Sequence, residues 1–144
     1  WVVLLGMETL PLRAERHVEN TLHLAHWLLE QPQVAWVNYP GLPHHPHHDR
    51  AQKYFKGKPG AVLTFGLKGG YEAAKRFISR LKLISHLANV GDTRTLAIHP
   101  ASTTHSQLSP EEQAQAGVSP EMVRLSVGLE HVEDLKAELK EALA

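Results

Sequence analysis

The feature that most restricts the fold of this chain is the alternation of strand-like and helix-like hydrophobic patterns. Ala61 to Leu67 combines β-branched and aromatic residues between glycines, which is typical of a strand. Tyr71 to Leu81 has apolar residues at helical spacing, which predicts an amphipathic helix. The alternation recurs with a strand at 122–127 and a helix at 132–143. Strands that alternate with helices indicate a layered α/β fold, with helices packed on a small sheet.

The same rules place the other elements. We predict a long helix at 12–30 bent at Pro11, a strand at 34–39, a short helix at 47–55, short strands at 83–87 and 95–98, and a helix that Ser109 begins and Gly117 ends. Ser109 and Glu112 have the spacing of a capping box. In the long helix, apolar residues at helical spacing predict the inward face, which comprises Ala14, Val18, Leu22, Ala25 and Leu29.

Length and composition restrict the class of protein. A chain of 144 residues can form one domain with a substantial core. Lys+Arg and Asp+Glu both count 15, so no charge excess favours nucleic acid or an anionic membrane as a partner. The absence of cysteine excludes disulfides and thiolate chemistry and fits an intracellular, cytoplasmic setting. Because the sequence begins at Trp1 without an initiator methionine, we expect it to be a piece of a longer protein.

Arg124 is the most distinctive charged residue because it lies in an otherwise apolar strand. Side chains alternate along a strand, so Val123, Leu125 and Val127 share one face and leave Arg124 on the other. A guanidinium donates two parallel hydrogen bonds, which suits a carboxylate. The same pattern fits a solvent-facing arginine on a half-exposed sheet, and the sequence pattern alone leaves both interpretations open.

The loop from Asn89 to Arg94 is a second candidate for ligand binding. Gly91 permits a positive backbone angle, and Asn89 and Asp92 favour local turns. The loop is therefore either a plain turn between two strands or a lip over a ligand, with the Asn89 amide as a hydrogen-bond donor.

Histidine is abundant, with 11 residues, and four of them, His44, His45, His47 and His48, surround Pro46. Imidazole is a ligand for zinc, nickel and copper. Neighbouring positions in one loop supply ligands in poor geometry, so we predict no metal site. A stand-alone metal-binding module that uses this loop is the alternative from a different functional class.

Two further features lack the spacing that their chemistry requires. His23 and His26 lie one helical turn apart, without the glutamate-bearing pattern of zinc proteases. The glycines of FGLKGG, from Phe65 to Gly70, lack the spacing of a nucleotide-binding loop. The sequence therefore predicts no catalytic residue within this chain.

Three segments carry a specific resemblance: HPAS..TH from His99, SPEE from Ser109, and VRLSVGLE from Val123. They closely resemble the Cys/Met-metabolism family of pyridoxal-phosphate enzymes, the trans-sulfuration group. The likeness extends over nearly the whole chain. FGLKGG and NVGDTRT are most similar to the O-acetylhomoserine sulfhydrylase branch of this family.

The resemblance implies a fold and a set of site residues. Members have the type I pyridoxal-phosphate fold, and this chain resembles its smaller C-terminal domain, a two-layer α/β unit with a small, mixed, mainly antiparallel sheet covered by helices. Residues 1–30 would then lead from an absent cofactor domain, and residues 31–144 would form the small domain. Arg124 would bind the substrate α-carboxylate, with Asn89 as a second contact and Thr104 close by. Asn89 replaces a serine that is common among the lyases of the family.

The chain departs from the family pattern at the cofactor. Its lysines lie in surface-like contexts rather than in a Ser/Thr-rich Schiff-base segment; examples are Lys53, Lys56, Lys68, Lys75 and Lys82. We therefore expect pyridoxal phosphate to bind only in the full-length enzyme and this chain alone to be inactive. The implied full-length reaction converts O-acetylhomoserine and sulfide to homocysteine and acetate, in methionine and cysteine biosynthesis. A cystathionine synthase or a methionine γ-lyase is the alternative within the family.

The resemblance also implies partners. They are a small amino-acid substrate, the chain's own N-terminal pyridoxal-phosphate domain, and further copies in a homo-oligomer, usually a tetramer.

Overall fold

A five-stranded sheet organises the computed structural model, which describes residues 1–144. The elements in chain order are α1 (Val2–Glu8), α2 (Leu10–Leu29), β1 (Val34–Asn38), α3 (His48–Phe55), β2 (Val62–Leu67), α4 (Gly70–Arg80), β3 (Ser85–His86), β4 (Leu96–Ile98), a 3-10 turn (Pro100–Ser102), α5 (Pro110–Gln115), β5 (Met122–Ser126) and α6 (Val132–Leu143). The strand order is β1-β2-β5-β4-β3, and only the β3–β4 pair is parallel. The predicted α/β fold with a small, mixed, mainly antiparallel sheet is confirmed.

Three helices, α2, α4 and α6, cover one face of the sheet. Their buried residues meet those of β2 and β5 in a single core, whose largest members include Leu24, Phe65, Phe77, Leu125 and Leu139. The rings of Phe65 and Phe77 pack edge to face, with centroids 5.6 Å apart. We call the opposite face of the sheet the open face; Thr64 and Arg124 are half-buried on it, whereas Leu96, Ile98 and Ser126 are buried. It carries the side chains that alternate with the core residues, including Thr64 and Arg124.

The inward face of α2 differs from the prediction. The buried residues of this helix are His17, Asn20, Thr21, Leu24, Ala25 and Leu28. Of the predicted residues only Ala25 is buried, whereas Ala14 and Leu29 are exposed. The prediction followed hydrophobicity and was wrong because three polar side chains point inward. Each of these side chains hydrogen-bonds to a backbone carbonyl inside the protein, although the second ring nitrogen of His17, Nε2, has no partner.

The break between the first two helices lies at Thr9, two residues before the predicted bend at Pro11. Proline is tolerated in the first turn of a helix, where its missing N–H would have no partner. Pro11 therefore lies just inside α2 and does not interrupt it. None of the residues of α1 is buried. No helix combines the length and the apolar content that a membrane span requires.

The remaining elements lie where they were predicted; α6 has the predicted bounds, and most of the strands are shorter. The predicted strand at 83–87 is reduced to the two residues of β3, and the strand at 95–98 becomes β4. The capping box of α5 is confirmed, because Ser109 Oγ accepts from the N–H of Glu112 while Glu112 Oε2 accepts from the N–H of Ser109. Gly117 follows this helix with φ +76°.

Candidate functional site

Arg124 lies in the middle of β5 on the open face. Its neighbours in the sheet are Thr64 of β2 and Ile98 of β4. Val123, Leu125 and Val127 are buried on the helix-covered face, so the predicted alternation is confirmed. Arg124 itself is half-buried. Its guanidinium forms no ion pair within the chain, and its charge is therefore available to an external anion.

The loop that contains Asn89 reaches Arg124 through the main chain. Arg124 Nη2 donates to the backbone carbonyl oxygen of Asn89 at 3.4 Å. The Asn89 side chain turns back into its own loop, where Oδ1 accepts from the N–H of Val90 at 2.9 Å. The structure thus brings together the two residues that the sequence singled out. The contacting group of Asn89 is the carbonyl rather than the expected amide.

Asp92 lies in the same loop, and its carboxylate contacts other residues of that loop. The N–H of Arg94 donates to Asp92 Oδ1 at 3.0 Å, which holds the pKa of this carboxyl below its ordinary value. The charge of Arg94, with Nε at 3.8 Å, and a hydrogen bond from Asn89 lower that pKa further. Asp92 therefore stays ionised and shapes the turn at Gly91, whose φ is +76°.

The segment after β5 fixes the base of this loop. Leu129 N–H donates to Thr93 O at 2.8 Å, and Thr95 donates to the Glu130 carboxylate through its N–H at 2.7 Å and its hydroxyl at 2.8 Å. Gly128 N–H donates to Thr95 Oγ1 at 2.8 Å. A Cβ on Gly128 would lie 2.5 Å from Thr93 O, so only glycine permits this approach. The sequence analysis missed these contacts because they join residues far apart in the chain.

A cavity of about 290 Å³ lies on the other side of the loop. Its walls include Arg13 and His17 of α2 and Val90 and Gly91 of the loop. Arg124 does not line it. The candidate site is therefore the open face beside the loop rather than this cavity.

Thr104 is not joined to the other two predicted residues. It is exposed, and its Oγ1 hydrogen-bonds to Nδ1 of the adjacent His105 at 2.9 Å. No hydrogen bond links it to Arg124 or Asn89.

His99 of the same motif has a structural role that the sequence analysis did not assign. It is 1% exposed, and its Nε2–H donates to Pro120 O at 2.7 Å. Its Nδ1 accepts from the Ser102 hydroxyl at 2.8 Å, and the Tyr71 ring packs against it with centroids 4.8 Å apart. His99 thereby fixes the 3-10 turn to the segment that leads into β5. The only signal for it in the sequence was the HPAS motif.

The histidines of the 44–48 loop point in several directions. His45 Nε2 hydrogen-bonds to Asn38 at 2.7 Å, and His48 Nδ1 to the carbonyl of Pro40 at 3.1 Å, while His44 and His47 are exposed. No three His, Asp or Glu side chains of the chain are gathered as metal ligands. The geometry therefore offers nothing in favour of the metal-binding alternative.

None of the lysines is placed to hold an aldehyde cofactor. Lys68 donates to Pro32 O, Lys82 pairs with Glu141, and Lys75 lies over the Tyr71 ring. Seven of the eight lysines are exposed, and the half-buried Lys136 is paired with Glu133 at 2.8 Å. A Schiff-base lysine needs a shielded site, whereas these lysines are exposed or paired near the surface.

Comparison with known proteins identifies the family. The model of the Cys/Met metabolism PLP-dependent enzymes matches residues 1–144. The chain belongs to this family. Cys/Met metabolism enzymes depend on pyridoxal phosphate, in agreement with the resemblance of the three motifs.

Several relatives within the Cys/Met metabolism family are similar over the whole chain. O-acetyl-L-homoserine sulfhydrylase 1 of Thermus thermophilus is 99% identical over 100% of this chain and 34% of its own length. O-acetyl-L-homoserine sulfhydrylase of Leptospira meyeri is 54% identical over 99% of this chain and 33% of its own. The chain thus spans about a third of the length of these relatives.

Solved structures in the same family share the fold. A Campylobacter jejuni protein described as an O-acetylhomoserine (thiol)-lyase has a TM-score of 0.93 and 44% identity, covering 99% of this chain and 34% of its own; it carries N'-pyridoxyl-lysine-5'-monophosphate. The O-acetylhomoserine sulfhydrylase of Wolinella succinogenes has a TM-score of 0.83 and 41% identity, covering 97% of this chain and 36% of its own.

Proposed function

We propose that this chain is the C-terminal substrate-carboxylate-binding domain of a pyridoxal-phosphate-dependent O-acetylhomoserine sulfhydrylase. The observation that carries the proposal is the unpaired guanidinium of Arg124 on the open face of the sheet, held by the carbonyl of Asn89. The names of the relatives at 99% and 54% identity support the sulfhydrylase reaction over a cystathionine synthase or a methionine γ-lyase.

In this proposal the chain contributes binding and orientation. The planar guanidinium of Arg124 donates a pair of parallel hydrogen bonds to the substrate carboxylate. One of its N–H groups is already held by Asn89 O, which limits the rotation of the side chain before substrate arrives. A carboxylate fixed in this way sets the direction of the Cα–H bond, which is a contribution to rate through positioning.

The bond-making steps belong to the rest of the enzyme. The reaction breaks the C–O bond to acetate and forms a C–S bond from sulfide, which gives homocysteine. Pyridoxal phosphate supplies the electron withdrawal for this chemistry when it is bound. Because every lysine here is exposed or paired at the surface, we propose that the chain alone has no turnover.

The open face and α1 are proposed to meet the remainder of the protein. The apolar side chains of α1 are all exposed, with Val2 at 76% and Val3 at 74%. A helix that is apolar on all sides is normally buried. This supports contacts with the N-terminal cofactor domain and with further copies in a homo-oligomer, which we propose to be a tetramer.

Substitution of Arg124 in the full-length enzyme tests the proposed role. Arg124→Ala should lower kcat/KM for O-acetylhomoserine by roughly thirtyfold to several thousandfold, since truncating one partner of a hydrogen-bonded charge pair costs about 2–5 kcal/mol. Arg124→Lys should have a kcat/KM only slightly above that of Arg124→Ala, because an ammonium group lacks the planar pair of donors of a guanidinium. Arg50→Ala, which removes an exposed arginine of α3, is the matched control.

Two results would overturn the proposal. Unchanged kcat/KM in Arg124→Ala would remove Arg124 from the substrate site. Turnover of cystathionine or methionine in preference to O-acetylhomoserine with sulfide would place the enzyme in another branch of the family.

A further inference from the structure

A row of polar side chains crosses the open face in line with Arg124. Asn38 of β1 pairs with Thr64 of β2, and Thr64 pairs with Arg124 of β5. Residues that are directly opposite in antiparallel strands project to the same side, with Cβ atoms about 4.5–5.5 Å apart. The three side chains are therefore neighbours on one face, although they come from three distant parts of the sequence.

The hydrogen bonds along this row have a fixed direction. The backbone N–H of His47 donates to His45 Nδ1 at 3.1 Å, so Nδ1 carries a lone pair and the neutral ring carries its proton on Nε2. His45 Nε2–H then donates to Asn38 Oδ1 at 2.7 Å. Because the oxygen of the Asn38 amide accepts this hydrogen bond, the amide nitrogen faces Thr64 and donates to its Oγ1 at 3.2 Å.

The neutral state of His45 is supported by its surroundings. Loss of hydration lowers the pKa of His45, and the neighbouring charges of His47, His44 and His48 lower it further. A neutral imidazole leaves Nδ1 free to accept the N–H of His47. The four-histidine loop, which has no metal-binding geometry, thus sets the direction of the row.

The row ends in a hydroxyl proton without a partner. Thr64 Oγ1 accepts from Asn38, so its own hydrogen is free to donate, and Thr64 makes no other side-chain hydrogen bond. Thr64 is half-buried beside Arg124 on the open face. A free donor next to an unpaired guanidinium suits a ligand with several acceptor oxygens.

We propose that Thr64 is a second hydrogen-bond donor to the carboxylate-bearing ligand that Arg124 holds, and that Asn38 and His45 direct its proton toward that ligand. This inference rests on the proposed function, in which the ligand is an amino acid. It adds a binding residue, Thr64, and two positioning residues, Asn38 and His45, to a site previously defined by Arg124 and Asn89.

The first experiment removes the hydroxyl from Thr64 in the full-length enzyme. Thr64→Val keeps the β-branched shape and should lower kcat/KM for O-acetylhomoserine by roughly tenfold to a hundredfold, as expected for a lost hydrogen bond to a charged group. The KM for sulfide should not change, since sulfide carries no carboxylate. Thr64→Ser keeps the hydroxyl and should retain most of the activity.

The second experiment reverses the direction of the hydrogen bond between residue 38 and Thr64 and leaves Thr64 itself unsubstituted. Asn38→Asp replaces the donating amide by a carboxylate that only accepts, so Thr64 should turn its proton toward Asp and away from the ligand. Its kcat/KM should fall toward that of Thr64→Val. In the double variant the two losses should not add, because both act through one hydroxyl. A simple effect of the new negative charge would persist in the Thr64→Val background.

The outcomes separate this inference from the proposed function. Loss of activity in Arg124→Ala together with normal kcat/KM in Thr64→Val would overturn only the role of Thr64. Equal losses in Thr64→Val and Thr64→Ser, or additive losses in the double variant, would also overturn it. Normal activity in Arg124→Ala would overturn the proposed function itself. Urea unfolding of each variant identifies any loss that comes from destabilisation.

Discussion

Asn20 shows that a polar residue can be a necessary part of this core. Its side chain is 4% exposed, and Nδ2 donates to the carbonyl oxygens of Gly128 at 3.1 Å and Glu130 at 2.9 Å. These bonds attach α2 to the segment that fixes the base of the loop containing Asn89. Asn20 therefore connects the helix layer to the candidate site.

Asn20→Ala should lower the free energy of unfolding of the 144-residue chain by about 2–4 kcal/mol, because two buried carbonyls lose their donor. Urea denaturation measures the change. Glu19→Ala at the neighbouring exposed position removes only an exposed pair with Arg16 and should cost about 0–1 kcal/mol. Similar losses for the two variants would show that these hydrogen bonds do not hold the helix in place.

Residue by residue, the sequence predicted what local patterns encode. The face of Arg124 followed from strand alternation, whereas its proximity to Asn89, which only the family resemblance implied, is formed through the Asn89 carbonyl. Thr64 and Asn38 could not be found in this way. Their relation to Arg124 depends on strand register, which is set by pairing between distant segments.

At the level of elements, α5 is the best test of a locally encoded structure. Its capping box joins Ser109 and Glu112 in both directions. The N–H of Ser109, and then its hydroxyl, hold the pKa of the Glu112 carboxyl below its ordinary value of 4.5. Since the folded state favours the ionised carboxyl, the resulting stabilisation is present above pH 4.5. It is lost as the pH falls through the lowered pKa.

Ser109→Ala should move the pKa of Glu112 part of the way back toward 4.5, because the hydroxyl is lost while the N–H remains. NMR titration of the side-chain carboxyl measures this change. Ser106→Ala, which removes a nearby hydroxyl bonded to Thr103 O, should leave the pKa of Glu112 in place. A Glu112 pKa that is the same in Ser109→Ala and in the unsubstituted chain would contradict the box.

The buried face was predicted correctly for helices with a regular apolar pattern, and wrongly for the helix that buries polar side chains. The helices predicted at 71–81 and 132–143 are α4 and α6, which bury Phe77 and Ile78 and Leu135 and Leu139, respectively. The face of α2 was misplaced because hydropathy gives no weight to a histidine such as His17, whose Nδ1–H donates to Val127 O at 2.6 Å. A polar side chain that has a hydrogen-bond partner inside the protein can be buried, whatever the hydropathy pattern predicts.

For the molecule as a whole, α1 is notable because it has no buried residue and five exposed large apolar side chains, which are Val2, Val3, Leu4, Leu5 and Met7. None of its residues is buried, and Arg13 Nη2 reaches it through Gly6 O. Removing residues 1–8 should leave the free energy of unfolding within about 0.5 kcal/mol of the original value, as for other changes at exposed sites. It should also weaken self-association, as measured by sedimentation velocity.

Removal of residues 137–144 at the other end is the contrasting control, since it takes Leu139 and Ala142 out of the core and should unfold the chain. A large loss of stability after removal of residues 1–8 would show that α1 is part of the folded unit. The predicted division at residue 30 also awaits such measurements. In the structure, α2 already contributes Leu24, Ala25 and Leu28 to the common core.

The two faces of β2 are subject to two separate kinds of selection. A thermal-shift screen of this chain would register substitutions at Leu63 and Phe65, whose side chains meet the helices, and would overlook many at Thr64 between them. If Thr64 has the proposed role, its variation would become visible in the turnover of the full-length enzyme. Consensus substitutions chosen for the stability of the isolated chain therefore carry a specific hazard. They can improve packing on one face of a strand while a substitution at the adjacent position impairs activity.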